Sequence, residues 1–117
     1  MHVSPALCTT ICLLALAAPA AAQEGLLTPN SLLQGCEALT ENAPTASGMQ
    51  MGACAGSVAA ALAIGQAQGT VCMPADGNVI GAARIVADFV YEQAERRGQR
   101  FGVVALQALQ ARWPCGQ

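Results

Sequence analysis

The sequence predicts an all-α protein, a small disulfide-stabilised bundle of about four helices. Three observations carry that expectation. Apolar residues recur at helical spacing in four segments, and no strands are evident. Proline, glycine and Asx residues punctuate the ends of those segments. An even number of cysteines remains once an N-terminal leader is set aside.

The leader comes first in the chain. Residues 1–22 read as a cleaved signal peptide. Ile11 to Ala18 is an apolar run too short to span a bilayer as a mature helix. Pro19 breaks it, and Ala20, Ala21 and Ala22 supply the small residues a signal peptidase needs. Cleavage is expected after Ala22, although the leading segment holds no Lys or Arg, only the amino terminus and His2. Residues 23–117 then form one helical domain, because a chain this short supports no second core. No other apolar run is long and uninterrupted enough to suggest a membrane anchor, so a soluble protein is expected after cleavage.

A first helix starts at Thr28 as cap, with Pro29 in its first turn. Leu32, Leu33, Cys36 and Leu39 share one face. Residues 42–48, with Pro44, Thr45, Ser47 and Gly48, form a loop. A second helix is expected over 49–68, with Met51, Cys54, Val58 and Leu62 on one stripe. Its remaining Ala and Gly residues would let a neighbouring helix approach closely. Gly69 is its stop. The chain is extended from Thr70 to Pro74, and Asp76 or Asn78 caps a third helix over 79–97. Val79, Ala83, Val86, Val90 and Ala94 line one face, widened by Ile85 and Phe89. Gly98 ends that helix. A fourth follows over 100–113, with Leu106, Leu109 and Trp113 on one stripe, and Pro114 forbids continuation.

Cys8 and Cys12 leave with the signal, and Cys36, Cys54, Cys72 and Cys115 remain. Two disulfides are expected in an exported chain. Zinc competes poorly, because there is no Cys-x-x-Cys and His2 is the sole histidine. Cys36 and Cys54 lie nearly equidistant from the centre of the 42–48 loop, so an antiparallel pair of helices sets them opposite each other. Cys72 precedes helix three and Cys115 follows helix four, and antiparallel packing brings those ends together. The pairing Cys36–Cys54 and Cys72–Cys115 follows. Aromatic residues are few, so covalent help matters to a core of Ala, Val and Leu.

Composition excludes several function classes. There is no lysine, the formal net charge is −2, and no basic stripe invites nucleic acid. A mature chain without histidine or lysine lacks Ser-His-Asp and Cys-His catalysis, Schiff-base chemistry and a phosphate-loop lysine. Asp88, Glu92 and Glu95 sit at helical spacing, but a solvated face with pairs such as Glu92–Arg96 explains them better than a two-carboxylate hydrolase. Asp76-Gly77-Asn78 lacks the order of a calcium loop and reads as a turn and cap. No cofactor, metal or catalytic residue is expected. An interaction protein is left. Tyr91, Glu95, Arg96, Arg97 and Arg100 are the candidate partner-binding residues, since Arg forks suit carboxylates and Tyr anchors interfaces.

The order of landmarks is similar to a known family. Leu33-x-x-Cys36 lies in the first helix, and Gly52-Ala53-Cys54-Ala55-Gly56 opens a Gly/Ala-rich second one. Cys72-Met73-Pro74 forms a compact element, and Trp113-Pro114-Cys115 closes the chain. This set resembles the Rap/Tai family of type VI secretion amidase immunity proteins, over Leu32 to Cys115. One departure is that Ser57 and Val58 follow Gly56, where the family often carries an aromatic. The resemblance implies a helical, periplasmic protein, often a homodimer, that binds and inhibits a peptidoglycan amidase effector injected by a rival cell. The Cys-His chemistry belongs to that partner. The alternative is a periplasmic interaction or envelope-maintenance protein of the same fold with no toxin partner. A weaker third reading is an acid-stress chaperone.

Overall fold

A computed structural model of the chain describes residues 28–41, 46 and 48–116. They form four α-helices and one 3-10 helix: α1 Pro29–Glu41, α2 Gly48–Ala67, α3 Val79–Glu92, the 3-10 helix Ala94–Gly98, and α4 Phe101–Arg112. Among the described residues the one strand-like feature is an isolated antiparallel bridge between Val71 and Pro114. The expected signal segment 1–22 and nearly all of the 42–48 loop lie outside the described residues.

α1 begins where the missing N–H of Pro29 costs nothing, and Pro29 itself is fully buried. The carbonyl of Thr28 accepts the Leu32 N–H at 3.2 Å. The helix buries Leu32 and Cys36 against α2, and the Cys36–Cys54 disulfide joins the two with Cα atoms 5.2 Å apart. The buried stripe of α2 is Cys54, Val58, Ala61, Leu62 and Gly65. Val58, which follows Gly56 where the family often carries an aromatic, is fully buried. Close approach at α2 comes from one of its glycines, Gly65, where an added Cβ would lie 2.4 Å from Val71 and 3.1 Å from Leu106 of α4. Gly52 and Gly56 face open space, on the side of α2 away from that stripe. Gly35 on α1 makes a second close contact, since a Cβ there would lie 2.2 Å from the Gln50 carbonyl oxygen.

Gly69 stops α2 as expected. At φ +69° it adopts the left-handed conformation, its N–H reaches the Gln66 carbonyl, and the Thr70 N–H reaches that of Gly65. This pair of bonds is a Schellman termination. Val71 then packs directly on Gly65 and is buried. The extended segment expected from Thr70 to Pro74 lies beside the end of α4: the Cys72 N–H donates to the Trp113 carbonyl at 2.8 Å, and the Cys72–Cys115 disulfide fixes the contact with Cα atoms 5.0 Å apart. Both expected pairings are therefore present.

Asn78 caps α3, its side-chain oxygen accepting the Gly81 N–H at 2.8 Å. Ala82, Ala83, Val86, Ala87 and Val90 are buried, with Ile85 and Phe89 packed at the edge of the core. The helix ends at Glu92, not at Arg97 as the sequence pattern predicts. Gln93 leaves helical geometry at φ −124°, ψ 71°, and the next turn tightens to 3-10 form, with the Arg96 N–H bonded to the Gln93 carbonyl. Ala94 is consequently exposed and not on the core face.

α4 also differs in register from its expected stripe. Its buried residues are Phe101, Val104, Ala105, Ala108 and Leu109, while Leu106 and Trp113 are only partly buried. Phe101 is the largest fully buried side chain. The core is otherwise built from Ala, Val, Leu and the first disulfide. By length and composition alone α2 could also cross a bilayer; here it packs against α1, α3 and α4.

Candidate partner-binding site

The candidate residues lie at the C-terminal end of α3 and along the 3-10 helix. Tyr91, on the last turn of α3, is 55% exposed. Its hydroxyl donates to Glu37 Oε1 on α1. That bond holds the phenol above its ordinary pKa; desolvation and the Glu37 charge act in the same direction, and Arg97 opposes them. Arg97 comes back over the Tyr91 ring, its guanidinium carbon 5.7 Å from the ring centroid. Its Nε is buried with no hydrogen-bond partner among the described residues.

Arg96 turns the other way. Its Nε donates to Gln93 Oε1 at 2.6 Å, its Nη1 donates to Gln107 Oε1 on α4, and its guanidinium lies 5.6 Å from the centre of the Phe89 ring. The expected Glu92–Arg96 pair is replaced by this brace, because the helix ends between the two residues. Glu95 is exposed in the first turn of the 3-10 helix, off the helical face expected to carry it with Asp88 and Glu92. Arg100 is exposed at the N-cap position of α4, at φ −65° and ψ 131°. The structure thus brings Tyr91 and Arg97 together, gives Arg96 a bracing role, and sets Glu95 and Arg100 on the same connecting segment.

Sequence reasoning did not single out Glu37 or Gln107. Both are polar residues contributed by neighbouring helices, and no short-range spacing signals them. Arg84 is a similar case: its guanidinium donates at 2.9 Å to the Thr40 carbonyl near the C-terminus of α1, where a cation suits the helix dipole. Of residues 42–50, which connect α1 to the first turn of α2, only Ala46 and 48–50 are described.

This surface offers an aromatic face, a stacked guanidinium and a carboxylate, groups suited to recognition by shape and charge. All four cysteines of the domain are in disulfides. Among the described residues no group of three or more His, Cys, Asp or Glu side chains could hold a metal ion.

Residues 28–115 match the family described as Rap1a immunity proteins, a span that holds every described helix and both disulfides. The chain belongs to the Rap1a immunity protein family. No curated protein and no solved structure matches it. As a Rap1a family member it is an immunity-type protein, whose work is to bind a toxin partner.

Proposed function

We propose that this protein is exported by its cleaved segment 1–22 and acts in the periplasm, where it binds and inhibits a peptidoglycan amidase delivered by a rival cell's type VI secretion system. Family membership is the observation that carries this reading. The two disulfides support an oxidising compartment. The chain itself catalyses nothing; the hydrolytic chemistry belongs to the amidase. Its contribution is a rigid bundle that presents the Tyr91–Arg97 pair and the flanking Glu95 and Arg100 at low entropic cost.

The test uses the oxidised mature domain as bait in envelope extract from cells grown against competitors. Capture of a peptidoglycan amidase, and loss of its wall-cleaving activity when the domain is added, is the expected result. The combined change Tyr91→Ala, Arg97→Glu, Arg100→Glu should weaken that binding about tenfold or more, the scale of an interface hot spot. Arg96 is left intact in this variant because it braces α3 to α4. Unchanged affinity would remove this surface from the interface. Capture of resident envelope proteins alone would favour an envelope-maintenance role for the same fold.

A further inference from the structure

A groove of about 470 Å³ runs between α3 and α4; Tyr91 does not line it, and its Arg84 also reaches α1 through the Thr40 carbonyl. It exists because α4 places Ala108 and Ala111 opposite Ile85 and Phe89, two small side chains facing two large ones. The floor is therefore apolar. The rim is charged and polarised along its length. Arg84 and Arg112 line it together with Asp88 and Glu92. The two helices are antiparallel, since the chain reverses within the short 3-10 connection and Arg96 reaches from beyond α3 to Gln107. Arg112 therefore faces the early part of α3, near Arg84. Asp88 and Glu92 lie successive turns further on. Asp88, Glu92 and Arg112 are exposed, and Arg84 gives one N–H to the Thr40 carbonyl, a neutral acceptor that leaves its charge in place.

We propose that this groove is a docking site for an extended protein segment in which an acidic, an apolar and a basic residue occupy alternate positions. The geometry sets the spacing. Arg84 and Glu92 are eight residues apart on a helix, roughly 12 Å along its axis at about 1.5 Å per residue. An extended chain covers that distance in about four residues at roughly 3.3 Å each. Positions i, i+2 and i+4 of an extended segment project to the same side. A segment such as Glu-x-Leu-x-Arg can then set its carboxylate at Arg84 and Arg112, its apolar side chain between Phe89 and Ala111, and its guanidinium at Asp88 and Glu92. The proposal concerns a surface separate from the Tyr91 site, and it stands or falls independently of whether the natural partner is an amidase.

The test uses the full oxidised domain and synthetic nonapeptides centred on Glu-x-Leu-x-Arg, Glu-x-Leu-x-Glu, Arg-x-Leu-x-Arg and Gln-x-Leu-x-Gln. Binding is followed by fluorescence anisotropy and by amide chemical shifts. The mixed-charge peptide should bind about fivefold or more tightly than the other three, as expected for two exposed ion pairs. Its shifts should fall on residues 81–92 and 108–112. Ala111→Trp, at an exposed position, should abolish binding by filling the groove while leaving the helical circular dichroism intact. The exposed double change Asp88→Arg, Glu92→Arg should switch the preference to Glu-x-Leu-x-Glu, an outcome that mere damage to the fold would not produce. Equal binding of all four peptides, no binding of any, or shifts confined to other surfaces would overturn the proposal.

Discussion

Two glycines and one tyrosine show how much depends on what each side chain meets. Gly35 looks like an ordinary helix interruption, yet a methyl group there would collide with the backbone of Gln50. Backbone cannot swing aside as a flexible side chain can, so α1 and α2 would have to separate around their disulfide. Gly35→Ala should therefore destabilise the domain by about 1–3 kcal/mol, the usual cost of overpacking. Gly56 has the same residue type and the opposite environment, with nothing within 4 Å of an added Cβ. Gly56→Ala should stabilise by about 0.5–1 kcal/mol through helix propensity alone. Chemical denaturation of both variants checks the pair. Tyr91 carries a pH prediction. Its folded pKa lies above its ordinary value of 10.0, chiefly because the hydroxyl donates to Glu37. The stabilisation from that bond is present below the unfolded pKa and is lost as pH rises through the higher folded value. Tyr91 is the only tyrosine, so ultraviolet titration reads it directly. The midpoint should exceed that of a free phenol and fall in Glu37→Gln.

At the scale of elements, helix starts and stops were legible, the stop at Gly98 included, and the break between α3 and the 3-10 helix was not. Pro29, Gly69, Asn78 and Pro114 act where local chemistry says they should, because a cap or a missing N–H is decided within a few residues. The apolar face of α3 was legible to Val90 for the same reason. Its end at Glu92 was not, because residues 93–97 contain good helix formers and no breaker before Gly98. The decision is tertiary: turning at Gln93 lets Arg96 cover Phe89 and bond Gln107 on α4. The register of α4 was missed for a related reason. Leu106 and Trp113 drew attention by size, while Phe101, Val104, Ala105 and Ala108 form the face that is buried. The candidate site was legible as a cluster but not as a division of labour, since Arg96 and Arg97 are adjacent in sequence and point to different partners. Arg96→Ala should speed amide exchange at residues 94–98 without changing protection in α1 and α2. Uniform loss of protection would show that the brace supports the whole bundle.

At the scale of the molecule, the two disulfides do different work because they sit at different depths. Cys36 and Cys54 are 0% exposed and belong to the core. Cys72 is exposed, and its bond to Cys115 clips an extended segment to the end of α4. The chain-entropy model assigns about 3 kcal/mol to a loop closed over 18 residues and about 4 kcal/mol to one closed over 43. Those contributions are large beside a typical net stability of about 5–15 kcal/mol, and larger still for a core made mostly of Ala and Val. Thiolate attack requires access to sulfur, so depth sets the order of reduction. Under graded dithiothreitol, alkylation and peptide mapping should find Cys72 and Cys115 labelled first. The singly reduced protein should keep its helical circular dichroism and show a lower unfolding midpoint, because α1 remains clamped to α2 and the core stays covered. Labelling of Cys36 and Cys54 should coincide with loss of helicity, since no reductant reaches them until α1 and α2 part. If all four thiols appear together at low reductant, the outer clip and the inner clamp open as one cooperative unit. The stability of the bundle would then rest on the Cys72–Cys115 bond, and the core around Cys36 and Cys54 could not persist without it.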